Sequence, residues 1–157
     1  MGIVYRTSDL FWMKKAYNFA LIAKDEGEVP VGSVITTSEQ TLVGYGWNQV
    51  LQKCDPCAHA EINAIRLAAL NLKKFKLLDT MIYSTLEPCY MCAGAIIQSR
   101  IGRIIFSLRN IRNGACGSIC NLFNNNLLNY RVKIDEGILE SECSKLLDDF
   151  FDKCRKS

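Results

Sequence analysis

Two short motifs constrain this chain most, because together they supply the side chains of a single chemical site. The first is His59-Ala60-Glu61 and the second is Pro88-Cys89-Tyr90-Met91-Cys92. Each motif follows a loop and opens a stretch whose apolar residues recur at helical spacing. The chain has one histidine, so any site that needs an imidazole must use His59. We therefore expect the fold to bring two helix N-termini together.

The residue types in these motifs are those of a zinc site. Cys89 and Cys92 are three residues apart, which directs both sulfurs to one side of a first helical turn. A helix N-terminus favours thiolates through its dipole and its free N–H groups. Zn²⁺ prefers nitrogen and sulfur donors arranged in a tetrahedron. The sequence predicts that His59, Cys89 and Cys92 bind one zinc ion per subunit.

Three protein ligands leave the fourth position of the zinc open for water, as in catalytic sites. Bound zinc lowers the pKa of water from about 15.7 to roughly 7, which makes hydroxide available at neutral pH. Glu61 lies next to the ligand His59 in sequence and is predicted to carry protons without binding the metal. The combination is the signature of zinc-dependent hydrolytic deaminases, and by itself it does not separate an RNA substrate from free guanine, cytosine or a nucleoside.

Other interpretations remain open at this level. Cys57 precedes His59 by two residues and Cys54 is close by, so either thiolate could fill the fourth position. The site would then be structural, and the protein a zinc-stabilised RNA-binding module. Buried thiols around a core histidine are a further alternative. The remaining cysteines are interpreted as small core or surface residues: Cys116, Cys120, Cys143 and Cys154.

Composition predicts one globular domain over residues 1–157. Apolar residues make up 49% and charged residues 22%, which is typical of such a domain. The longest apolar run is far short of the ~18 residues of a membrane span. Residues 1–6 have neither an apolar signal core nor a myristoylation motif. We expect a cytoplasmic protein whose eight cysteines are thiols or metal ligands rather than disulfides.

Charge is distributed unevenly although the net charge is only +3. The range 88–134 contains no acidic residue, whereas the chain from 135 onward is acidic. Such asymmetry indicates a face that attracts a polyanion, unless the arginines point in several directions and only solvate the surface. Arg109→Ala or Arg112→Ala is expected to weaken RNA binding if the first interpretation holds.

Hydrophobic periodicity predicts helices that alternate with strands, and hence helices on both faces of a mixed sheet. The final amphipathic helix carries Phe150 and Phe151; either could stack on a base, but we expect at least one of them in the core. The predicted helices are 8–27, 59–72, 89–98, a short one at 120–128, and the one after 137. The predicted strands are 31–37, 41–47, 80–85, 103–107 and 131–134.

Longer motifs, spread over nearly the whole chain in one register, resemble the bacterial tRNA-specific adenosine deaminases. They are Glu28-Val29-Pro30-Val31-Gly32, Gly46-Trp47-Asn48, Ala58-His59-Ala60-Glu61-Ile62, the stretch 85–95, Ser99-Arg100-Ile101-Gly102-Arg103, Gly114-Ala115-Cys116-Gly117-Ser118 and Leu147-Asp148-Asp149-Phe150-Phe151.

The resemblance implies an α/β protein, a three-layer α/β/α fold with a five-stranded mixed sheet, that works as a homodimer. It implies conversion of adenosine to inosine at the first anticodon position of an arginine tRNA. It assigns zinc to His59, Cys89 and Cys92, proton transfer to Glu61, and the substrate nucleoside to Asn48. Arg109 and Asn110 are candidate RNA contacts, and Asn110 stands where many relatives have aspartate.

Overall fold

The computed structural model describes residues 7–126 and 128–156, which form five helices and five strands. Residues 1–6, predicted to hold no leader, lie outside this part. The helices are α1 Thr7–Asp25, α2 Val50–Lys53, α3 Ala60–Leu72, α4 Tyr90–Ser99 and α5 Glu140–Lys156. The strands are β1 Gly32–Thr37, β2 Leu42–Trp47, β3 Thr80–Leu86, β4 Arg103–Leu108 and β5 Lys133–Glu136.

The strands form one mixed sheet in the order β2-β1-β3-β4-β5. Strand β1 pairs antiparallel with β2 and with β3, whereas β3, β4 and β5 run parallel. The parallel pair β3 and β4 is joined through α4, as parallel connections require a crossover. The predicted five-stranded mixed sheet is confirmed.

Two apolar clusters, one on each face of the sheet, form the core. On one face, residues of β1, β3 and β4 pack against α3 and α4: Ile35, Ile82, Ile104, Ala64, Ala68 and Ile96. The alternate residues of the same strands pack on the opposite face against α1: Val34, Tyr83, Ile105, Met13 and Ala16. Because successive strand residues point to opposite faces, both faces of these strands are apolar. This arrangement is the predicted three-layer α/β/α fold.

Helix α3 lies unusually close to β2. A Cβ atom on Gly46 would lie 2.6 Å from the Ala60 carbonyl oxygen, and one on Gly44 would lie 2.4 Å from that of Ala64. Only glycine permits such an approach of helix and strand backbones. The contact seats the first turn of α3, which carries Glu61, directly on the sheet.

The predicted helix at 120–128 is wrong. Residues 120–126 and 128 form turns, bends and a bridge between Cys116 and Asn121, and Leu127 lies outside the described residues. The side chain of Asn121 accepts a hydrogen bond from the Phe123 amide at 3.0 Å. Asparagine side chains compete in this way with helical backbone bonds, and this segment is rich in them.

The last strand lies two residues later than predicted, at Lys133–Glu136 rather than 131–134. Its register places Lys133 opposite Arg103 and Asp135 opposite Ile105. An acidic residue is accommodated there because Asp135 pairs with the Arg103 guanidinium at 2.7 Å. Among the described residues, no helix combines the length and apolarity needed to cross a membrane.

Candidate active site

The three predicted metal ligands lie at the N-termini of two neighbouring helices. His59 is the N-cap residue of α3 and Cys89 is that of α4, and both have an extended backbone. Their carbonyl oxygens accept the first helical hydrogen bonds, from Asn63 at 3.0 Å and from Ala93 at 2.8 Å. Neither side chain caps its own helix, so both are free to turn toward each other.

The geometry of these ligands fits a zinc ion. His59 Nδ1 lies 3.6 Å from Cys89 Sγ and 3.5 Å from Cys92 Sγ. All three ligand atoms lie within 4.8 Å of one another. Zn–S bonds of about 2.3 Å and Zn–N bonds of about 2.0–2.1 Å, at a tetrahedral angle, require N···S separations of about 3.6 Å. The donor set and the two N···S separations therefore suit zinc.

The two cysteines differ in acidity. A hydrogen bond with Cys92, reinforced by His59, lowers the pKa of Cys89 to about 4. The pKa of Cys92 is raised by the same bond and by burial. The hydrogen bond with Cys89 also raises the pKa of His59. A zinc ion held by both sulfurs would require both as thiolates, so the proton of Cys92 would be released on binding.

Glu61 is buried beside the ligands, with only 4% of its surface exposed. Its Oε1 accepts a hydrogen bond from Ser84 Oγ at 3.3 Å, and its Oε2 lies 3.5 Å from Cys92 Sγ. Burial raises the pKa of this carboxyl group. Glu61 thus lies close enough to exchange protons with a group at the metal position.

The fourth-ligand alternative receives no support from the loop before His59. Cys54 and Cys57 are both exposed, and the Cys57 amide donates to Asp55 Oδ1 at 2.8 Å. Within the described residues, the one group of histidine, cysteine and acidic side chains that converges for a metal is His59, Cys89 and Cys92. A closed site of four protein ligands is therefore not formed by these residues.

A cavity of about 570 Å³ opens over this cluster. Its lining includes His59, Glu61, Asn48, Asn110 and Phe150. The volume lies within the range of small-ligand sites, about 300–1,000 Å³. The cavity therefore has room for a nucleoside-sized group above the metal ligands.

Asn48, the predicted nucleoside contact, lies in this cavity and is 9% exposed. Its Nδ2 donates to Glu28 Oε2 at 3.4 Å, and Glu28 Oε1 accepts from the Gln52 amide at 2.8 Å. Glu28 is 1% exposed and also lines the cavity. The carboxylate of Glu28 therefore orients the Asn48 amide, a role for Glu28 that the sequence analysis missed.

Glu87 organises the loop that forms one wall of the site. Its buried carboxylate accepts hydrogen bonds from the amides of Asn110 at 2.9 Å, Cys116 at 2.9 Å and Ser118 at 3.1 Å. A Cβ atom on Gly114 would lie 2.3 Å from Glu87 Oε2, so the loop must have glycine there. These partners are 23 to 31 residues away in sequence, so the sequence analysis missed the role of Glu87. The one sequence signal for it is that Glu87 directly precedes the Pro88-Cys89 motif.

The candidate RNA contacts differ in position. Asn110 lines the cavity, and its Oδ1 accepts from the amides of Arg112 at 3.3 Å and Asn113 at 3.1 Å. Arg109 lies outside the cavity wall, where its guanidinium donates to both oxygens of Glu136 at 2.8 and 2.7 Å. Their contacts with RNA stay predictions.

The expectation that Phe150 or Phe151 belongs to the core is wrong. Phe151 is 42% exposed, and Phe150 is half-buried and lines the cavity. The face of α5 that packs inward carries Cys143 and Leu146 instead. A helical stripe of apolar residues cannot by itself distinguish core from the wall of a pocket.

The arginines of the range 88–134, which contains no acidic residue, do not form one face. Arg103 turns inward to Asp9 and Asp135, whereas Arg100 donates to Asn129 and stacks on Tyr130. Arg112 is exposed near the cavity-lining residues Asn110 and Asn113. The basic charge available to a polyanion near the site is therefore smaller than the sequence count indicates.

Comparison with known proteins agrees with this site. The cytidine and deoxycytidylate deaminase zinc-binding region matches residues 6–108. The tRNA-specific adenosine deaminase of Haemophilus influenzae is 42% identical over 92% of this chain and 83% of its own length. A structure from a study of A-to-I editing by tRNA:A34 deaminases at the wobble position superimposes with a TM-score of 0.83 and 32% identity, over 87% of this chain and 99% of the other.

A guanine deaminase from Bacillus subtilis is similar over a shorter region. It is 34% identical with a TM-score of 0.60, and the match covers 63% of each chain. The adenosine deaminases, by contrast, match over most of this chain, 92% and 87% of it in the two cases above. The chain therefore belongs to the zinc-binding cytidine and deoxycytidylate deaminase family and, within it, to the tRNA-specific adenosine deaminases.

Proposed function

We propose that this enzyme converts adenosine to inosine at the wobble position of tRNA. The observation that carries the proposal is the convergence of His59, Cys89 and Cys92 beside the buried carboxylate of Glu61, under a nucleoside-sized cavity. In the net reaction, adenosine and water give inosine and ammonia. The water oxygen bonds to C6 of adenine, and the bond from C6 to the exocyclic nitrogen breaks.

Within this scheme, His59, Cys89 and Cys92 hold the zinc ion. Bound zinc supplies a water of lowered pKa, so that a nucleophile is available near neutral pH. Glu61 takes one proton from the attacking water and delivers it to N1 of adenine. The second proton passes through Glu61 to the departing amine, which leaves as ammonia. General acid–base transfer of this kind contributes about 10²–10⁴-fold, and positioning in the cavity contributes further.

A wobble nucleotide suits a cavity of this shape. Anticodon-loop bases are single-stranded, so little pairing energy opposes turning one of them into a closed pocket. We assign the nucleoside to Asn48, which lines the cavity and donates a hydrogen bond to Glu28. Asn110 at the wall and Arg109 beyond it are assigned to the flanking nucleotides and phosphates.

The proposal is tested by incubating an unmodified tRNA pool with the purified protein and sequencing the anticodon loops. Inosine pairs as guanosine, so we expect adenosine-to-guanosine changes at the first anticodon position. Glu61→Gln should abolish these changes while zinc remains bound at the level of the parent protein. Anticodon loops that remain unchanged under conditions in which the protein holds zinc would contradict the proposal.

Free guanine is a second candidate substrate, because a guanine deaminase matches part of the chain at 34% identity. The same purified protein should be incubated with guanine and assayed for ammonia. Release of ammonia from guanine without inosine in tRNA would favour this alternative. We favour tRNA because the adenosine deaminases match a larger part of the chain than the guanine deaminase does.

We propose an arginine tRNA as the substrate and the cytoplasm as the location, as the resemblance to bacterial tRNA-specific adenosine deaminases implies. The sequencing experiment tests the first proposal directly, since a pool contains every anticodon with adenosine at its first position. Editing confined to arginine tRNA is the expected result. Fractionation of cells that express the tagged protein tests the second.

We also propose a homodimer. Tyr90 and Ile119 are large apolar residues that are 48% and 52% exposed. Burial of such residues against a second copy is favourable. Light scattering should give twice the chain mass of 17.7 kDa, and Ile119→Asp should shift the mass toward that of one chain.

A further inference from the structure

A row of small residues crosses the sheet beneath the first turn of α3. Gly46 of β2 lies opposite Ser33 of β1, and Ser33 lies opposite Ser84 of β3. Residues directly opposite each other in a sheet point to the same face. The contact of Gly46 with the Ala60 carbonyl shows that this is the α3 face. The row leaves space for the start of α3 to approach the sheet.

Ser84 differs from its neighbours on that face of β3. Ile82, two residues earlier, belongs to the apolar core between the sheet and α3. Ser84 is fully buried too, yet it places a hydroxyl where the apolar pattern calls for another aliphatic group. A buried hydroxyl needs a hydrogen-bond partner, and Ser84 Oγ donates to Glu61 Oε1 at 3.3 Å.

From this contact we infer that Ser84 is a positioning residue for the catalytic carboxylate. Glu61 Oε1 is held by Ser84, while Oε2 lies 3.5 Å from the ligand Cys92. The serine thereby fixes the rotation of the carboxylate and leaves Oε2 on the side of the metal ligands. A small misplacement of a catalytic group lowers the rate by up to about 10²-fold, so this orientation affects the chemical step. The inference rests on the proposed proton transfer by Glu61.

Ser33 offers a matched control. It is also a fully buried serine on the same face, but its hydroxyl donates to the Tyr83 carbonyl at 2.8 Å instead of to Glu61. Ser33→Ala therefore removes a buried hydroxyl of the same kind without touching the carboxylate. A difference between Ser33→Ala and Ser84→Ala isolates the contact with Glu61.

The experiment compares Ser84→Ala, Ser84→Val, Ser84→Thr and Ser33→Ala by kcat and KM on tRNA, zinc content and melting temperature. Threonine and valine have the same shape and differ by a hydroxyl, so this pair separates hydrogen bonding from packing. We expect the alanine and valine variants to lose about tenfold in kcat, with KM within about twofold and zinc content unchanged. We expect Ser84→Thr to keep a kcat at least about fivefold above that of Ser84→Val.

Several results would overturn the inference: equal kcat for Ser84→Thr and Ser84→Val, equal loss in Ser33→Ala and Ser84→Ala, or a loss of zinc that parallels the loss of kcat. If one variant fails to fold, the pair that does not contain it still tests the inference. The two pairs are Ser84→Thr with Ser84→Val, and Ser84→Ala with Ser33→Ala. Glu61→Gln, measured alongside, separates the role of Glu61 from that of Ser84. Activity retained by that variant refutes the role of Glu61, whereas parent-like Ser84 variants refute only the positioning by Ser84.

Discussion

Cys54 and Cys57 lie just before the predicted ligand His59, yet both thiols are exposed and outside the converging group. We therefore predict that the double variant Cys54→Ser, Cys57→Ser binds one zinc per chain and deaminates tRNA like the parent. Cys89→Ser should lose zinc and activity together, because oxygen replaces one of two thiolate ligands. Elemental analysis of the purified variants measures the difference. Loss of zinc from the double variant would restore the closed four-ligand site as the better interpretation.

Glu28 holds the predicted nucleoside contact Asn48 by accepting a hydrogen bond from its Nδ2 at 3.4 Å. Glutamine at position 28 would place an amide donor against Asn48 Nδ2 or the Gln52 amide, both of which now donate to Glu28. We predict that Glu28→Gln lowers kcat/KM by about tenfold, equivalent to about 1.4 kcal/mol, the scale of one hydrogen bond. Glu26→Gln is the control, since Glu26 is a nearby exposed acid that accepts from Trp47 at 2.7 Å. Equal effects of the two variants on kcat/KM would contradict the orienting role.

At the residue scale, sequence predicts a site only as far as its members are close in the chain. His59 and Glu61 share one motif, and Cys89 and Cys92 share another, so helical spacing alone relates them. Ser84 and Glu87 interact with groups more than 20 residues away, and only the fold reveals those pairs. No periodicity distinguishes Ser84 from an ordinary strand residue.

Among the elements, α5 carries a buried thiol whose titration should affect stability. Burial raises the pKa of Cys143 to about 11 from its usual 9.0. The folded state retains the thiol proton more strongly than the unfolded chain does. The contribution of this thiol to the unfolding free energy is therefore fully present below about pH 9 and is lost as the pH rises toward about 11. We predict that the unfolding free energy falls by up to about 2 kcal/mol more in the parent than in Cys143→Ala over this interval. Urea titrations at several alkaline pH values measure it.

The exposed thiol of Cys154, on the same helix, gives the control. Cys154→Ala should keep the alkaline decrease of the parent, because this substitution leaves the buried thiol of Cys143 in place. An alkaline decrease that is unchanged in Cys143→Ala would show that other groups cause it, among them Cys116, whose pKa is also raised by burial.

The loop after β4 carries the RNA-binding prediction. Arg109→Ala and Arg112→Ala should both weaken tRNA binding and flatten its dependence on salt, by about 0.7 in the logarithmic slope for each phosphate that is no longer neutralised. Glu136 holds Arg109 with two hydrogen bonds, so Glu136→Gln should release this guanidinium and strengthen binding. Filter-binding titrations over a series of salt concentrations measure both effects. Unchanged affinity and slope in both arginine variants would refute the prediction.

Periodicity predicted elements well where apolar residues recur over several turns or pair with a neighbouring strand. It was wrong at 120–128, where asparagine side chains compete with the helix, and it missed the single turn α2. Strand β5 was predicted two residues too early, because its acidic residues were grouped with the acidic chain from 135 onward. In the structure, Asp135 is accommodated in the strand by Arg103. At both 120–128 and β5, a side-chain contact decided the backbone conformation.

At the scale of the whole molecule, a largely buried ionic network joins helix α1 to the sheet. Arg103 of β4 pairs with Asp9 of α1 at 2.8 Å and with Asp135 of β5 at 2.7 Å, and Tyr83 of β3 donates to Asp9 at 2.9 Å. The side chain of Asp9 is 1% exposed. Arg103 is the first residue of β4 and lies opposite Met81 near the start of β3, whereas the predicted metal ligands Cys89 and Cys92 follow the end of β3. The Arg103 ion pairs and the predicted metal ligands thus lie toward opposite ends of β3.

This separation leads to a prediction about two variants. Asp9→Ala leaves the Arg103 guanidinium paired with Asp135, so we expect a cost below the about 3–5 kcal/mol of a buried charge left without compensation. Asp9→Leu combined with Arg103→Met removes both charges and replaces them with apolar volume, while Asp135 retains Lys133 at 3.3 Å. We expect the double variant to be more stable in urea than Asp9→Ala, and both to keep the parent kcat on tRNA well below their melting temperatures. A double variant as unstable as the single one would mean that the ion pair contributes through its own attraction, and a reduced kcat in a folded variant would mean that the two ends of the sheet are coupled.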